Sequence, residues 1–95
     1  MVTDDLVFDW DDANIAHLAR HNVTCEEVEQ MLANSPMDLA ADVATGEERY
    51  TQVGHTNQIR VLILVWTMRG ASIRPITAFD ASKRLSARYL REKGF

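Results

Sequence analysis

The sequence predicts an α+β fold: a small antiparallel sheet of three to four strands, with two N-terminal helices and one C-terminal helix. Three observations predict it. Apolar residues recur at helical spacing as far as Ala33, and the period then changes after Pro36. Val61 to Trp66 is apolar at both parities, as expected of a central strand covered on both faces. Helical spacing returns after Asp80 and holds to about Lys93. Helices segregated from strands make this α+β rather than a βαβ repeat, with helices expected mainly on one side of the sheet. The 95 residues form one domain, 1–95, with a single modest core.

Taken in order, Leu6 to Asp9 reads as a brief strand leading into Trp10. A helix is expected from about Asp12 to His21, with Ile15, Leu18 and Ala19 as its buried stripe and Asp9 or Asp11 as its cap. Thr24 followed by Glu27 is a capping-box pattern that opens a second helix to about Ala33. Cys25, Val28, Met31 and Leu32 make its apolar face, and Asn34-Ser35-Pro36 ends it. Met37 to Ala41 is a weak strand, Ala44 to Glu47 a turn, and Arg49 to Gly54 a strand. A second turn at His55 to Gln58 precedes the apolar strand, and Met68-Arg69-Gly70 leads into Ser72 to Phe79. Pro75 cannot donate to a ladder, so it requires an edge position or a bulge. Asp80 or Ser82 caps the last helix, whose Ala81, Leu85 and Tyr89 form one stripe and Arg84, Arg88 and Arg91 another. Trp10 and Trp66 read as core anchors.

Charge is divided between the halves. Up to Glu48 twelve carboxylates face one cation, Arg20; from Arg49 onward nine cations face only Asp80 and Glu92. Eight of the ten cations are arginine, which suits bidentate contact with phosphate or carboxylate. A basic half of this kind holds polyanions, or is neutralised by the acidic half within one fold. The 46% hydrophobic and 25% charged content argues against disorder. No apolar run approaches the length of a membrane span, and the acidic Met1 to Asp5 does not resemble a signal peptide. A single cysteine, Cys25, rules out an internal disulfide framework. A cytoplasmic location is expected, with no membrane contact and no cofactor.

The pattern Phe8-Asp9-Trp10-Asp11, then His17-Leu18-Ala19-Arg20-His21-Asn22-Val23 and Glu26-Glu27-Val28, resembles the opening of BrnT-family toxins. The likeness continues through Gly46-Glu47-Glu48-Arg49-Tyr50 to Gly54, Trp66-Thr67-Met68-Arg69-Gly70, Ile73-Arg74, Ile76-Thr77-Ala78 and the basic helix ending in Arg88-Tyr89. The resemblance implies a RelE-like fold. It also implies the toxin of a type II toxin–antitoxin system, an endoribonuclease that cleaves RNA without metal and inhibits translation. The implied partner is a ribbon–helix–helix antitoxin, bound as a dimer of heterodimers. The chain departs from the family pattern at Asn14, where lysine is frequent nearby, at Asn22 for glycine, at Phe79 for arginine and at Leu85 for glutamate. These departures open an alternative: a catalytically degenerate relative that binds an antitoxin-type DNA-binding partner and acts in operon regulation.

Such cleavage needs a base for the ribose 2′-OH, an acid for the leaving oxygen and cations at the phosphate. Histidine titrates near neutrality and suits the proton transfers. His17 and His21 fall on one side of the first helix. His21 follows Arg20 at the family's K/R-H position and is the first choice as catalytic residue. A histidine there also suits the negative end of a helix dipole. Arg69 and Arg74 match family positions and are the expected catalytic phosphate holders; their alternative is pairing with Asp38, Glu47 or Glu48 across the sheet. Arg49, Lys83, Arg84, Arg88, Arg91 and Tyr89 are the expected RNA-binding residues, although Tyr89 also fits a half-buried place on the Leu85 stripe. His17 and His21 could hold zinc, but spacing pins no third ligand, so no metal is assigned.

Overall fold

The computed structural model describes residues 6–44 and 46–95; Met1–Asp5 lie outside them, as does Thr45 of the expected Ala44 to Glu47 turn. The element order is α1 (Asp12–Ala19), α2 (Cys25–Ala33), β1 (Met37–Ala44), β2 (Glu47–His55), β3 (Val61–Arg69), β4 (Ser72–Asp80) and α3 (Lys83–Lys93). The strands form one antiparallel sheet in the order β1-β2-β3-β4. The three expected helices and four sheet strands are present, while the expected brief strand at Leu6 to Asp9 is reduced to a single parallel bridge at Phe8.

Local chemistry explains the helix boundaries. Asp11 caps α1: its carboxylate accepts from the Asn14 amide N–H, and the Asn14 side chain accepts in return from the Asp11 N–H. Thr24 and Glu27 make the expected reciprocal box at α2. Ser82 caps α3 by accepting from the Leu85 N–H. Beyond Ala19 the chain closes in a Schellman arrangement, with Val23 N–H donating to the Leu18 carbonyl and Asn22 N–H to that of Ala19. That closure needs a left-handed residue, and Asn22 takes φ 57°. Asparagine tolerates this conformation better than most residues.

Sheet alternation sets the two faces. Leu62, Leu64 and Ala78 pack against Leu18, Val23, Val28 and Met31, with Phe8, Trp10, Leu32 and Trp66 partly buried around them. Val53 and Val61 pack on the other face against Tyr89, joined by Met37, Ala81, Leu85 and Leu90. The helices therefore take both faces, α1 and α2 on one and α3 on the other, rather than mainly one side. The doubly apolar β3 demands this, because a single helical layer would leave one of its faces wet. Pro75 satisfies both conditions for a strand proline, lying on the outer strand and beside the bulge that separates the Val65–Thr77 and Trp66–Pro75 pairs.

The α1 stripe differs from expectation. Ile15 is 43% exposed and Ala19 is exposed, while Asn14 and Leu18 are buried. The helix lies along the outer edge of β4, where backbone polar groups need partners, so it turns an amide inward instead of an isoleucine. Arg60 ties the loops together: its guanidinium donates to Asp80, to Glu27 and to the Asn22 carbonyl at 2.8–3.1 Å. Those bonds hold the Asp80 carboxyl below its usual range.

His55 is buried beneath α3, with Nδ1 2.7 Å from the Tyr89 hydroxyl and its ring edge-on to Phe95 at 4.9 Å. Burial, and then the Lys93 charge, push its pKa down. An unfolded histidine protonates near pH 6.5, while the folded one resists. The sign follows: the stability this contributes is complete above about pH 6.5 and is lost as pH falls toward the folded pKa. Urea denaturation at a series of pH values should show the unfolding free energy declining below about pH 6.5. In His55→Gln, which keeps a polar partner for Tyr89, that part of the decline should be absent.

Candidate nucleic-acid interface

A row of cationic and aromatic side chains runs along β4 and α1. The short N-terminal segment starts it by adding to the outer strand. Asp9 N–H donates to the Ile73 carbonyl at 2.8 Å, Ile73 N–H donates to that of Val7 at 2.8 Å, and Phe8 bridges Ile73 in parallel. Alternation then puts Phe8 with the Leu62–Leu64 core and Asp9 with Arg74. The Asp9 carboxylate lies 3.5 Å from the Arg74 guanidinium and 3.7 Å from that of Arg69, while Asp11 contacts Arg74 at 3.0 Å. The predicted arginine pair is thus brought together, but on Asp9 and Asp11 rather than on Asp38, Glu47 or Glu48. Arg74 is largely enclosed and Arg69 largely open, with side chains 15% and 60% exposed. Asp11 sits below the usual carboxyl range, chiefly because it accepts from the Asn14 N–H and also through Arg74.

Asn14 places the histidines. Its Nδ2 donates to the carbonyls of Asp9 at 2.9 Å and of Pro75 at 3.0 Å, and its side chain is buried. One helical turn on, His17 shares a shallow depression with Arg74, Pro75 and Ile76. A further turn on, His21 lies 5.9 Å from the His17 ring and 6.0 Å from the Phe79 ring, measured between centroids. The order along the edge is therefore Arg69, Asp9, Arg74, His17, His21, Phe79. His21, the preferred histidine on sequence grounds, sits at the aromatic end; His17 is the one beside Arg74. Sequence reasoning ranked His17 lower because no motif names it. Its spacing from Asn14, which the edge holds, is the signal that finds it.

The remaining predicted residues divide. Arg49 lies on the same sheet face as Arg69 and Arg74 by strand alternation, opposite Asp42 in the β1–β2 pairing. Its Glu47 neighbour is 3.6 Å away, and its buried Nε makes no hydrogen bond. Lys83, Arg84 and Arg91 are exposed on α3, and so is Arg88, which pairs with Glu92 at 3.0 Å. Tyr89 is 1% exposed, and its hydroxyl is engaged by His55. Burial keeps that ring from any RNA, so Tyr89 leaves the binding set and belongs to the α3 core. Leu85 is partly buried in the same core. Among the described residues no three His, Cys, Asp or Glu side chains converge as a metal site would require, and no helix is long and apolar enough to cross a membrane.

Residues 10–84 match the family described as the ribonuclease toxin, BrnT, of type II toxin–antitoxin systems. The chain belongs to the BrnT family. The match spans α1 through the first turn of α3 and includes every member of the row along the β4 edge except Asp9. Among solved structures the fold is similar to that of the Brucella abortus ribonuclease toxin BrnT. The TM-score is 0.59 at 17% identity, over 82% of this chain and 99% of that one. No curated protein matches the chain. Within this BrnT-family fold, the Asn14 amide does structural work. Asn14→Ala would leave two carbonyls without their donor and should lower the unfolding free energy by about 2–3 kcal/mol. Urea titration of the purified variant measures it.

Proposed function

We propose that this BrnT-family chain is a metal-independent endoribonuclease toxin that inhibits translation by cleaving RNA in the cytoplasm. One observation carries the reading: two arginines and two histidines lie in one continuous row on the edge of a rigid sheet. The chemistry requires that set. The 2′-oxygen attacks the adjacent phosphorus as its proton passes to a base, the bond from phosphorus to the 5′-oxygen breaks, and an acid protonates that oxygen. Arg74, already fixed by Asp9 and Asp11, and the open Arg69 stabilise the charge on the pentavalent phosphate. His17 and His21 exchange the protons. The RNA phosphate competes with the Asp9 carboxylate for Arg69, the weaker and more exposed of the two Asp9 contacts. Arg49 extends the anion-binding face, and Lys83, Arg84, Arg88 and Arg91 line the approach from α3.

Labelled RNA incubated with purified protein in EDTA tests this directly. Wild type should cleave, and Arg74→Ala, Arg69→Ala, His17→Ala and His21→Ala should each lose about 10²-fold or more. An inert but folded wild type would favour the second reading, a degenerate toxin kept for its partner. Its supporting observation is that Asp9 and Asp11 already offset the Arg74 charge.

The partner in this reading is a ribbon–helix–helix antitoxin, assembled as a dimer of heterodimers, that covers the basic ridge of α3. Arg84 and Arg88 are exposed and border one depression with Ser82 and Leu85. Reversing both charges (Arg84→Glu with Arg88→Glu) should weaken antitoxin binding at least tenfold by calorimetry, the more so at low salt. Unchanged affinity would place the antitoxin elsewhere.

A further inference from the structure

The sheet face that carries Arg49, Arg69 and Arg74 is roofed by α3 only at the Val53–Val61 end. Thr51, Ile63, Val65, Thr77 and Phe79 point to that face by alternation, and all keep intermediate exposure. Phe79 is the aromatic residue of this open strip. It stands opposite Ile63 in the β3–β4 pairing, with the His21 ring 6.0 Å away at an interplanar angle of 56°. A tilted pair at that separation forms a corner rather than a closed stack, and so leaves ring surface free.

We propose that Phe79 and His21 form the seat for an unpaired nucleobase, which makes single-stranded RNA the form this chain takes. The inference rests on the RNA-cleaving reading and extends it. Charge complementarity selects the occupant: the sheet face that carries Phe79 also carries Arg69, Arg74 and Arg49, of which Arg69 is the most exposed, and these cations attract a phosphate chain even though Asp9, Asp11 and Glu47 offset part of their charge. Base-paired RNA keeps its base faces stacked within the helix, whereas an unpaired base can swing out onto a side-chain ring. Stacking tolerates every base, so the corner selects for strandedness more than for sequence.

Fluorescence anisotropy with a short labelled 2′-O-methyl oligoadenylate, which resists cleavage, and with its fully abasic counterpart tests the seat. Phe79→Leu, which keeps apolar cover over Ile63, should bind the oligoadenylate about tenfold more weakly than wild type. Phe79→Trp should retain the affinity, and all three proteins should bind the abasic strand equally. Unchanged oligoadenylate affinity in Phe79→Leu would overturn the seat while leaving RNA binding intact. So would an equal loss on the abasic strand, which signals a folding effect. A wild type that binds neither strand would overturn the RNA reading and the seat together.

Discussion

The unfilled hydrogen bonds on the outer edge of β4 are the constraint from which the rest of this site follows. An edge strand presents donors and acceptors that must be met or exposed, and this one carries a proline and a bulge in its middle. The protein meets the edge in two ways. Backbone from Val7 to Asp9 pairs with Ile73, and the buried Asn14 amide takes the Pro75 carbonyl. Both segments are thereby fixed in register with β4. Fixing the first delivers Asp9 to Arg69 and Arg74; fixing the second delivers His17 and His21 to the same line. The row of candidate groups is a consequence of closing an edge.

This arrangement also reconciles the opposed charges of the two halves. The acidic N-terminal half does not simply sit opposite the basic half. Asp9 and Asp11 reach onto the arginine pair, and Glu27 with Asp80 absorbs Arg60. Arg60 is accordingly a structural cation despite its place in the basic segment, and its pKa is pushed up by the carboxylates around it. Among the cations of the basic half, Arg69 and the α3 ridge keep the most open surface. Net charge alone could not separate these roles, because it does not say which arginine is enclosed.

Much of the fold is legible in the sequence because its signals are local. The Thr24–Glu27 box, the doubly apolar Val61 to Trp66 and the Ser82 cap each act within a few residues, and each element appears where they place it. The placement of α1 is not legible, because Ile15 and Asn14 offer competing faces and only the tertiary edge decides between them. The side of the sheet taken by α3 follows from β3 having two apolar faces to cover. In the site, Arg69 and Arg74 are found from motif positions. Their partners Asp9 and Asp11 lie more than fifty residues away in sequence, and the parallel pairing at Phe8 that joins them leaves no periodic trace. Tyr89 illustrates the reverse error, since a residue on an apolar stripe at helical spacing is core first.

The central claim is that Arg69, Arg74, His17 and His21 act as one surface because the β4 edge holds them in line. Heteronuclear NMR of the protein titrated with a non-cleavable 2′-O-methyl RNA strand tests it most directly, by following the arginine side-chain and histidine ring signals. The account predicts that the four residues shift together, with a single affinity. Shifts confined to the α3 arginines, with the histidine rings unmoved, would contradict it.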